Sequence, residues 1–555
     1  MFRVPVAAGT FAAGLSLVAA VHAQSTDDLR NDHRTPGDVL TYGMGYSQQR
    51  HSPLTQVNRG TVKRLIPVWS HSTANVLGDE SQPLVHDGVM YVTTSRSTFA
   101  IDAVTGKGLW RHDIDYESDV ARYVCCGQVS RGAAIYQGKL IRTTLDAHVL
   151  ALDPKTGKEL WKSRADDYKQ GYSMTVAPLV ANGVVITGVA GAEFGTRGYL
   201  DGWDAETGKH LWRRHVVPAP GEKGAETWPS DDTWKYGGGS TWVTGSYDPE
   251  LDLVYWGTGN PGPWSMLGRP GDNLYTCAVI AIRPRTGEMV WYYQFTPNDP
   301  ADYDGVNEMV QAELQVGGRS RKVLMHADRN GFLYVLDRAS GELIAANAYV
   351  KVTWADGVDM KTGRPIVSAA TAKLAQGEET ELWPSITGGK NWQPMAFSPA
   401  TGLIYANTIN GGMSVQAKKI EHKFGAFYSG LTIKRIWPDS RGYLKALDPL
   451  TGKAKWEVPF PIPNFAGVLS TAGGLVFTGT MTGEFLAFDA DTGQKLWQFQ
   501  TGSGIIGQPI TWERNGRQYV TVATGVGGVY ALHARDERLR TVPAGGAVWT
   551  FALFE

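Results

Sequence analysis

Cysteine is close to absent: Cys125, Cys126 and Cys277 are the only three in 555 residues, and two of them adjoin. That count excludes a fold held by several disulfides. C-x-x-C-H does not occur, so no covalently attached c-type haem is expected. The G-x-x-x-x-G-K-[ST] phosphate loop, the H-E-x-x-H zinc motif and the glycine fingerprint of nicotinamide enzymes are missing too. Charge is sparse and even, 19% of residues, with 53 Lys plus Arg against 54 Asp plus Glu. Such a balance offers nothing to nucleic acid or to an anionic membrane surface. Beyond the first 23 residues no stretch has the length and apolarity of a membrane span.

Residues 1–23 themselves read as an export signal peptide. Arg3 supplies the positive start, Val4 to Ala20 the apolar stretch, and Val21-His22-Ala23 a cleavage site before Gln24. A membrane anchor is the competing reading, but the stretch is short, Gly-interrupted and not followed by a charged stop. No Cys near the cleavage site would carry a lipid. A periplasmic protein is expected, with residues 24–555 as its mature part.

Gly (66), Tyr (23) and Trp (19) are plentiful, a mix suited to a large, turn-rich β protein. One phrase recurs, approximately A-x-D-x-x-T-G-x-x-x-W. It ends at Trp110 (AIDAVTGKGLW), Trp161, Trp212, Trp291, Trp456 and Trp497 (AFDADTGQKLW), with weak copies ending at Ala345 and Ala406. A short apolar segment runs to the Asp. D-x-x-T-G then turns tightly, Gly supplying positive φ, and a second strand follows. The Trp at its close can bury a large area against a neighbouring sheet. T-G turns alone are common; six copies with Trp in register are not. Four-stranded sheets repeating at roughly 40–50 residues close radially. The expected fold is all-β: an eight-bladed β-propeller with tryptophan-docking repeats, residues 24–555 forming its single domain. The length favours eight blades over seven.

A propeller says nothing of function, so the loops between repeats carry the rest. Cys125 and Cys126 are the first candidates. Adjacent Cα atoms lie about 3.8 Å apart, whereas ordinary disulfides span roughly 4.4–6.8 Å. Two free thiols are the plain alternative, yet an exported protein meets oxidising conditions. A vicinal disulfide would present a flat, rigid ring fit for stacking. Asp302 and Asp304, in PADYDGVNE, are the second pair. On an extended segment their side chains share a side, and two converging carboxylates need a cation or a proton between them. A solvated acidic loop is the commoner fate of D-x-D. Glu193 among glycines, Trp242 after Gly-Gly-Gly-Ser-Thr, and Asn260 in GTGNPG complete the set. Each of these, by itself, also reads as ordinary packing or turn chemistry.

Together they are specific. From about residue 38 to 528 the sequence resembles the PQQ-dependent methanol/ethanol dehydrogenases, whose cofactor is pyrroloquinoline quinone (PQQ), and within them the lanthanide-dependent branch. TYGMGYSQQRHSPLTQVN is similar to that family's N-terminal signature. The resemblance implies cofactor contacts at Glu80 (DESQPLV), at Cys125, Cys126 and Arg131 (YVCCGQVSRG), and at Thr175 (MTVAP). It implies more at Gly191, Ala192 and Glu193 (AGAEFGTRGYL), Ser240 and Trp242 (GGGSTW), Arg329 (HADRNG) and Asn391 (GGKNWQP). Trp242 would lie under the quinone, opposite the Cys125–Cys126 ring. A metal ion would be held by Glu193, Asn260, Asp302 and Asp304, with Asp302 also the catalytic base. Asp304 is typical of the lanthanide-dependent branch; calcium-dependent members carry a small or uncharged residue there, and calcium is the alternative ion. Ala190 replaces a usual Ser, Ser240 a frequent Thr, Phe465 a usual Trp and Val529 a late Trp. Ile409-Asn410 matches no family pattern.

This implies an oxidoreductase converting small primary alcohols such as methanol or ethanol to aldehydes. PQQ would supply the redox chemistry. Asp302 would take the alcohol proton, and Arg329 would donate to developing negative charge. Electrons would pass to a separate periplasmic cytochrome c, and a homodimer is compatible with the resemblance. Two other readings stand beside this one. A PQQ enzyme for polyols or sugars would use the same cofactor residues with a different pocket rim. A non-enzymatic propeller scaffold would need neither the carboxylates nor the vicinal cysteines, and would carry a lipid-anchor Cys.

Overall fold

The structure, a computed structural model, describes residues 24–527 and 536–554. The export segment and Val529 lie outside the described residues. Thr26–Arg30 and Ala369–Leu374 are the only α-helices among those residues, and both are short. Eight sheets of four or five strands hold most of the strand residues. One consists of Leu84–His86, Val89–Thr93, Ser97–Asp102 and Gly108–Asp113, hydrogen-bonded in chain order. The next repeats it with Ala134–Tyr136, Lys139–Thr143, His148–Leu152 and Glu159–Arg164.

Burial grades across each sheet. The second strands Lys139–Thr143, Val184–Gly188, Leu253–Gly257 and Leu475–Gly479 are buried along their whole length. Neighbouring sheets cover both their faces, so their apolar residues run without polar alternation. The fourth strands, Gly108–Asp113 and Glu159–Arg164, alternate exposed and half-buried residues instead. Apolar clusters fill the spaces between sheets: Val310, Val323 and Val335 of one sheet share a cluster with Ile404, Ala406 and Leu447 of another. One sheet draws on both ends of the chain. Leu65–Ser72 pairs with Ala547–Leu553, which pairs with Arg517–Thr524 and through it with Ile510–Arg514.

The recurring phrase makes the joint between sheets. Asp153 Oδ1 accepts from the amides of Lys155 and Thr156 at 2.8 and 2.9 Å, closing the turn. Gly157 then takes φ +71°, a conformation side chains disfavour. A Cβ there would fall 2.5 Å from the Trp110 ring of the preceding sheet. The same indole donates to the Pro154 carbonyl at 2.9 Å. Trp69 with Gly106, Trp212 with Gly287 and Trp456 with Gly493 repeat the arrangement. Trp497 donates to the Leu65 carbonyl at 3.0 Å, reaching the sheet that both chain ends share.

Two additions break the pattern. Ala355–Asp359 pairs with Arg364–Val367. Thr380–Leu382, Gly412–Ala417 and Leu431–Ile436 form a three-stranded sheet whose last strand reaches the cavity described next.

Candidate functional site

Loops that link the sheets meet round a cavity of about 840 Å³. Its wall includes Cys125, Cys126, Arg131, Thr175, Glu193, Ser240, Trp242, Asp302, Asp304, Arg329 and Asn391. Glu80, Gly191, Ala192 and Asn260 are buried beside wall residues: Glu80 against Arg131, Gly191 and Ala192 next to Glu193, and Asn260 against Asp304. Cys125 and Cys126 are joined by a disulfide, and Cys277 is a free, buried thiol.

Arg131 organises one side. Its Nη2 meets the buried Glu80 carboxylate at 2.7 Å, and its Nη1 donates to Thr175 Oγ1 at 2.7 Å. The guanidinium carbon lies 4.7 Å over the Trp242 ring. Gly191, at φ +125°, and Ala192 form the base of the one-turn helix Ala192–Phe194 that presents Glu193.

Arg329 organises the other side. Its Nη2 lies 3.0 Å from Asp302 Oδ2, and its Nη1 donates to Asp304 Oδ2. Extended backbone does not bring the two aspartates together, contrary to the expectation from i, i+2 spacing. Asp302 adopts φ +59°, in the left-handed region, and the Asp299 carboxylate accepts from the Ala301 and Tyr303 amides at 3.1 Å each. A capped turn therefore holds Asp302 in an uncommon conformation, and the guanidinium gathers the carboxylates. Asp304 also accepts from Trp242 Nε1 at 3.2 Å and from the Asn260 amide.

Asp302 and Asp304 pair with the Arg329 guanidinium, and Glu193 is near enough to feel Asp304 and Arg329; with all three carboxylates ionised the group carries a net charge of −2 (−3 + 1). Burial pushes the Asp302 carboxyl well above its ordinary range; Arg329 opposes that shift, while Asp304 and Glu193 add to it. Glu193 is pushed up to about 7, by burial first and by Asp304 second. A cation bound here would displace protons so retained.

Several polar atoms here are buried without a partner in the protein: Ser240 Oγ, Asn260 Oδ1, Asp302 Oδ1, Arg131 Nε, Arg329 Nε and Thr387 Oγ1. Each such atom costs roughly 1–3 kcal/mol if left unpaired, so the wall suits a polar occupant. Asn260 Oδ1, Asp302 Oδ1 and the Glu193 carboxylate are hard oxygen donors, the kind that calcium-like cations take. The disulfide ring and Trp242 offer flat surfaces, with arginine, hydroxyl and amide donors around them. This donor set fits PQQ, a planar quinone bearing carboxylates, and it fits a cation beside it.

Other wall residues carry weaker sequence signals. Trp264 and Trp392 line the cavity and stand inside GTGNPGPW and GGKNWQP, beside residues already singled out. Trp392 stacks on Phe465 with ring centres 4.7 Å and planes 7° apart. Lys434 comes from the three-stranded addition and Trp437 follows its last strand; neither stands in a repeat phrase. Ile409 packs behind the wall with Trp392 and Phe465, and the Asn410 side chain donates to the Ser440 carbonyl at 3.0 Å. Ala190 lines the cavity with a methyl group alone.

Fold and cavity together define a β-propeller protein with a slot for a flat, polar cofactor beside a group of oxygen donors. The family model described as glucose/ethanol/alcohol dehydrogenase (PQQ), β-propeller domain, matches residues 40–362 and 430–520. Quinoprotein alcohol dehydrogenase PedH of Pseudomonas putida is 42% identical, covering 97% of this chain and 95% of that one. The lanthanide-dependent methanol dehydrogenase of Methylacidiphilum fumariolicum is 40% identical over 94% of this chain and 90% of its own. The solved structure of a europium-containing methanol dehydrogenase superposes with a TM-score of 0.90 at 38% identity, over 95% of this chain and 100% of that one. The chain belongs to the PQQ-dependent quinoprotein alcohol dehydrogenases.

Proposed function

We propose that the protein is a periplasmic enzyme that oxidises small primary alcohols, methanol or ethanol among them, to aldehydes. It uses PQQ and a lanthanide ion and passes electrons to a cytochrome c. One observation carries the reading: the disulfide, Trp242 and the Asp302–Arg329–Asp304 group share one cavity in which several buried polar atoms lack protein partners.

When bound, PQQ supplies the two-electron redox chemistry and the cation the Lewis acidity that polarises it. The chain's residues do the rest. The Cys125–Cys126 ring and Trp242, both on the cavity wall, would hold the cofactor. Arg131, Thr175, Ser240 and Asn391 offer it donors, Glu80 fixing the first of these. Glu193, Asn260, Asp302 and Asp304 would hold the ion. Asp302, in its ionised form, would accept the hydroxyl proton of the alcohol. Arg329 donates where negative charge develops and keeps Asp302 oriented.

A trivalent ion offsets three carboxylates better than a divalent one, and two of the relatives are named for lanthanide or europium content. The Trp–Gly joints between sheets, with Trp497 on Leu65, support an eight-bladed propeller with tryptophan docking, formed by residues 24–555 after loss of the first 23. A homodimer of such subunits is compatible with this reading. No haem-attachment motif occurs in this sequence, which favours a separate one-electron acceptor. The test is turnover of purified, PQQ-loaded protein with an artificial dye and either lanthanum or calcium. The panel holds methanol, ethanol, butanol, glycerol and glucose. Turnover of the primary alcohols is expected; activity confined to glucose would overturn the reading.

A further inference from the structure

We propose that His422, outside the cavity, is a positioning residue that sets the metal affinity of the Glu193 turn. The inference rests on the reading of Glu193 as an ion ligand. His422 belongs to segment 418–430, which connects Gly412–Ala417 to Leu431–Ile436. Residues 363–429, lying between the two matched spans, fall outside the family match. Most of it is exposed, Phe424 by 62%. Two of its side chains nevertheless turn inward.

Tyr428 is buried, and its amide donates to the Glu193 carbonyl at 2.7 Å. His422 Nε2 lies 3.2 Å from the Phe194 carbonyl, a hydrogen bond in the tautomer protonated there. The imidazole stacks on Tyr236 with centres 3.9 Å and planes 14° apart, and meets Tyr428 edge-on at 5.3 Å. Gly195, at φ +71°, makes room for it: a Cβ there would fall 2.4 Å from His422 Cδ2. Tyr236 opens the run that ends in Ser240 and Trp242, and the Gly239 amide within it donates to the Asn260 carbonyl at 2.8 Å. One imidazole therefore touches both the turn that presents Glu193 and the loop tied to Trp242 and Asn260.

The turn has need of such a support. Ala192–Phe194 spans three residues between Gly191 and Gly195, both at positive φ. Glycines restrain the backbone least, so the turn has little stiffness of its own. Cation affinity depends on ligands being held before binding, and loss of a supporting contact typically costs 10–100-fold.

The experiment titrates Eu³⁺ into full-length, PQQ-loaded, metal-stripped protein and reads affinity and luminescence lifetime. His422→Ala is expected to weaken Eu³⁺ binding by about 10-fold or more and to shorten the lifetime as water enters the ion's shell. The thermal midpoint of the metal-free protein should stay at the wild-type value. His422→Gln keeps a donor for Phe194 without the stacking ring, and His422→Phe the ring without the donor; each is expected to fall between. Wild-type affinity and lifetime in the Ala and Phe variants would overturn the proposal, as would loss of the metal-free fold in both. Wild-type protein that takes up no Eu³⁺ would overturn it together with the metal reading, a result distinct from the others.

Discussion

The Trp242 indole donates to Asp304 Oδ2 at 3.2 Å, so the ring assigned to the cofactor and a carboxylate assigned to the cation form one hydrogen-bonded unit. Arg329 and the Asn260 amide complete the environment of Asp304. Asp304 is turned inward and buried, not a solvated loop acid. A displacement of either ring or carboxylate is felt by the other.

Asp302 is the first target. Asp302→Asn preserves volume but removes the acceptor for the alcohol proton, so turnover should fall by roughly 10²–10⁴-fold. The thermal midpoint should move by only a few degrees. Metal content is measured alongside, because Asp302 is also an assigned ligand. A metal-loaded variant turning over near the wild-type rate would remove Asp302 from the role of base.

Thiol counting checks the disulfide. Denatured protein without reductant should expose one alkylatable thiol, Cys277, and three after reduction. Native protein should expose none, since Cys277 is buried and burial pushes its thiol well above the ordinary range. Three thiols without reductant would refute the pairing.

Asp79 gives a pH signature of stability. It is buried beside no cation, accepting from Thr73 Oγ1 at 3.0 Å and from the Asn75 side chain. Burial pushes it up to about 7, the two hydrogen bonds opposing. Between the ordinary carboxyl range near 4 and this value, the folded chain holds a proton the unfolded chain has released. That contribution is fully present below about pH 4 and lost as pH rises through about 7, on the order of 4 kcal/mol in all. Denaturant melts at pH 5 and pH 8 should show Asp79→Asn losing less stability than wild type. Parallel losses would contradict it.

Much of this was legible in the sequence, for a local reason. The Asp, Gly and Trp of each repeat are each required by one turn: a carboxylate to cap it, a residue tolerant of positive φ, an indole to cover the next turn. The cavity residues were legible where they stand in distinctive phrases. What stayed hidden depends on contacts distant in sequence. Leu431–Ile436 reaches the cavity only because Gly412–Ala417 bridges it to Thr380–Leu382. DESQPLV gives no sign that Asp79 is packed against Gly525 and Gly546, where the two chain ends meet. PADYDGVNE suggests an extended pair, and only the Asp299 cap reveals the turn.

The identity of the ion is the sharpest question. Removing Asp304 changes the charge of the group from −2 to −1 when all carboxylates are ionised, and releases Trp242 Nε1 and one arm of Arg329. Asp304→Ala should therefore lose lanthanide-supported turnover and bind lanthanum at least about 10-fold more weakly, while keeping its fold. Asp304→Asn can still accept from Trp242 but carries no charge for Arg329 or the ion. If the third charge matters more than the indole contact, it should behave like the alanine variant. The decisive comparison is wild-type, metal-stripped, PQQ-loaded enzyme given calcium, lanthanum or cerium in turn. Full activity with calcium and none with either lanthanide would assign the site to calcium, leaving Asp304 as an anchor for Trp242 and Arg329. Activity restored by lanthanum or cerium in the wild type, and lost in both Asp304 variants, is the expected result.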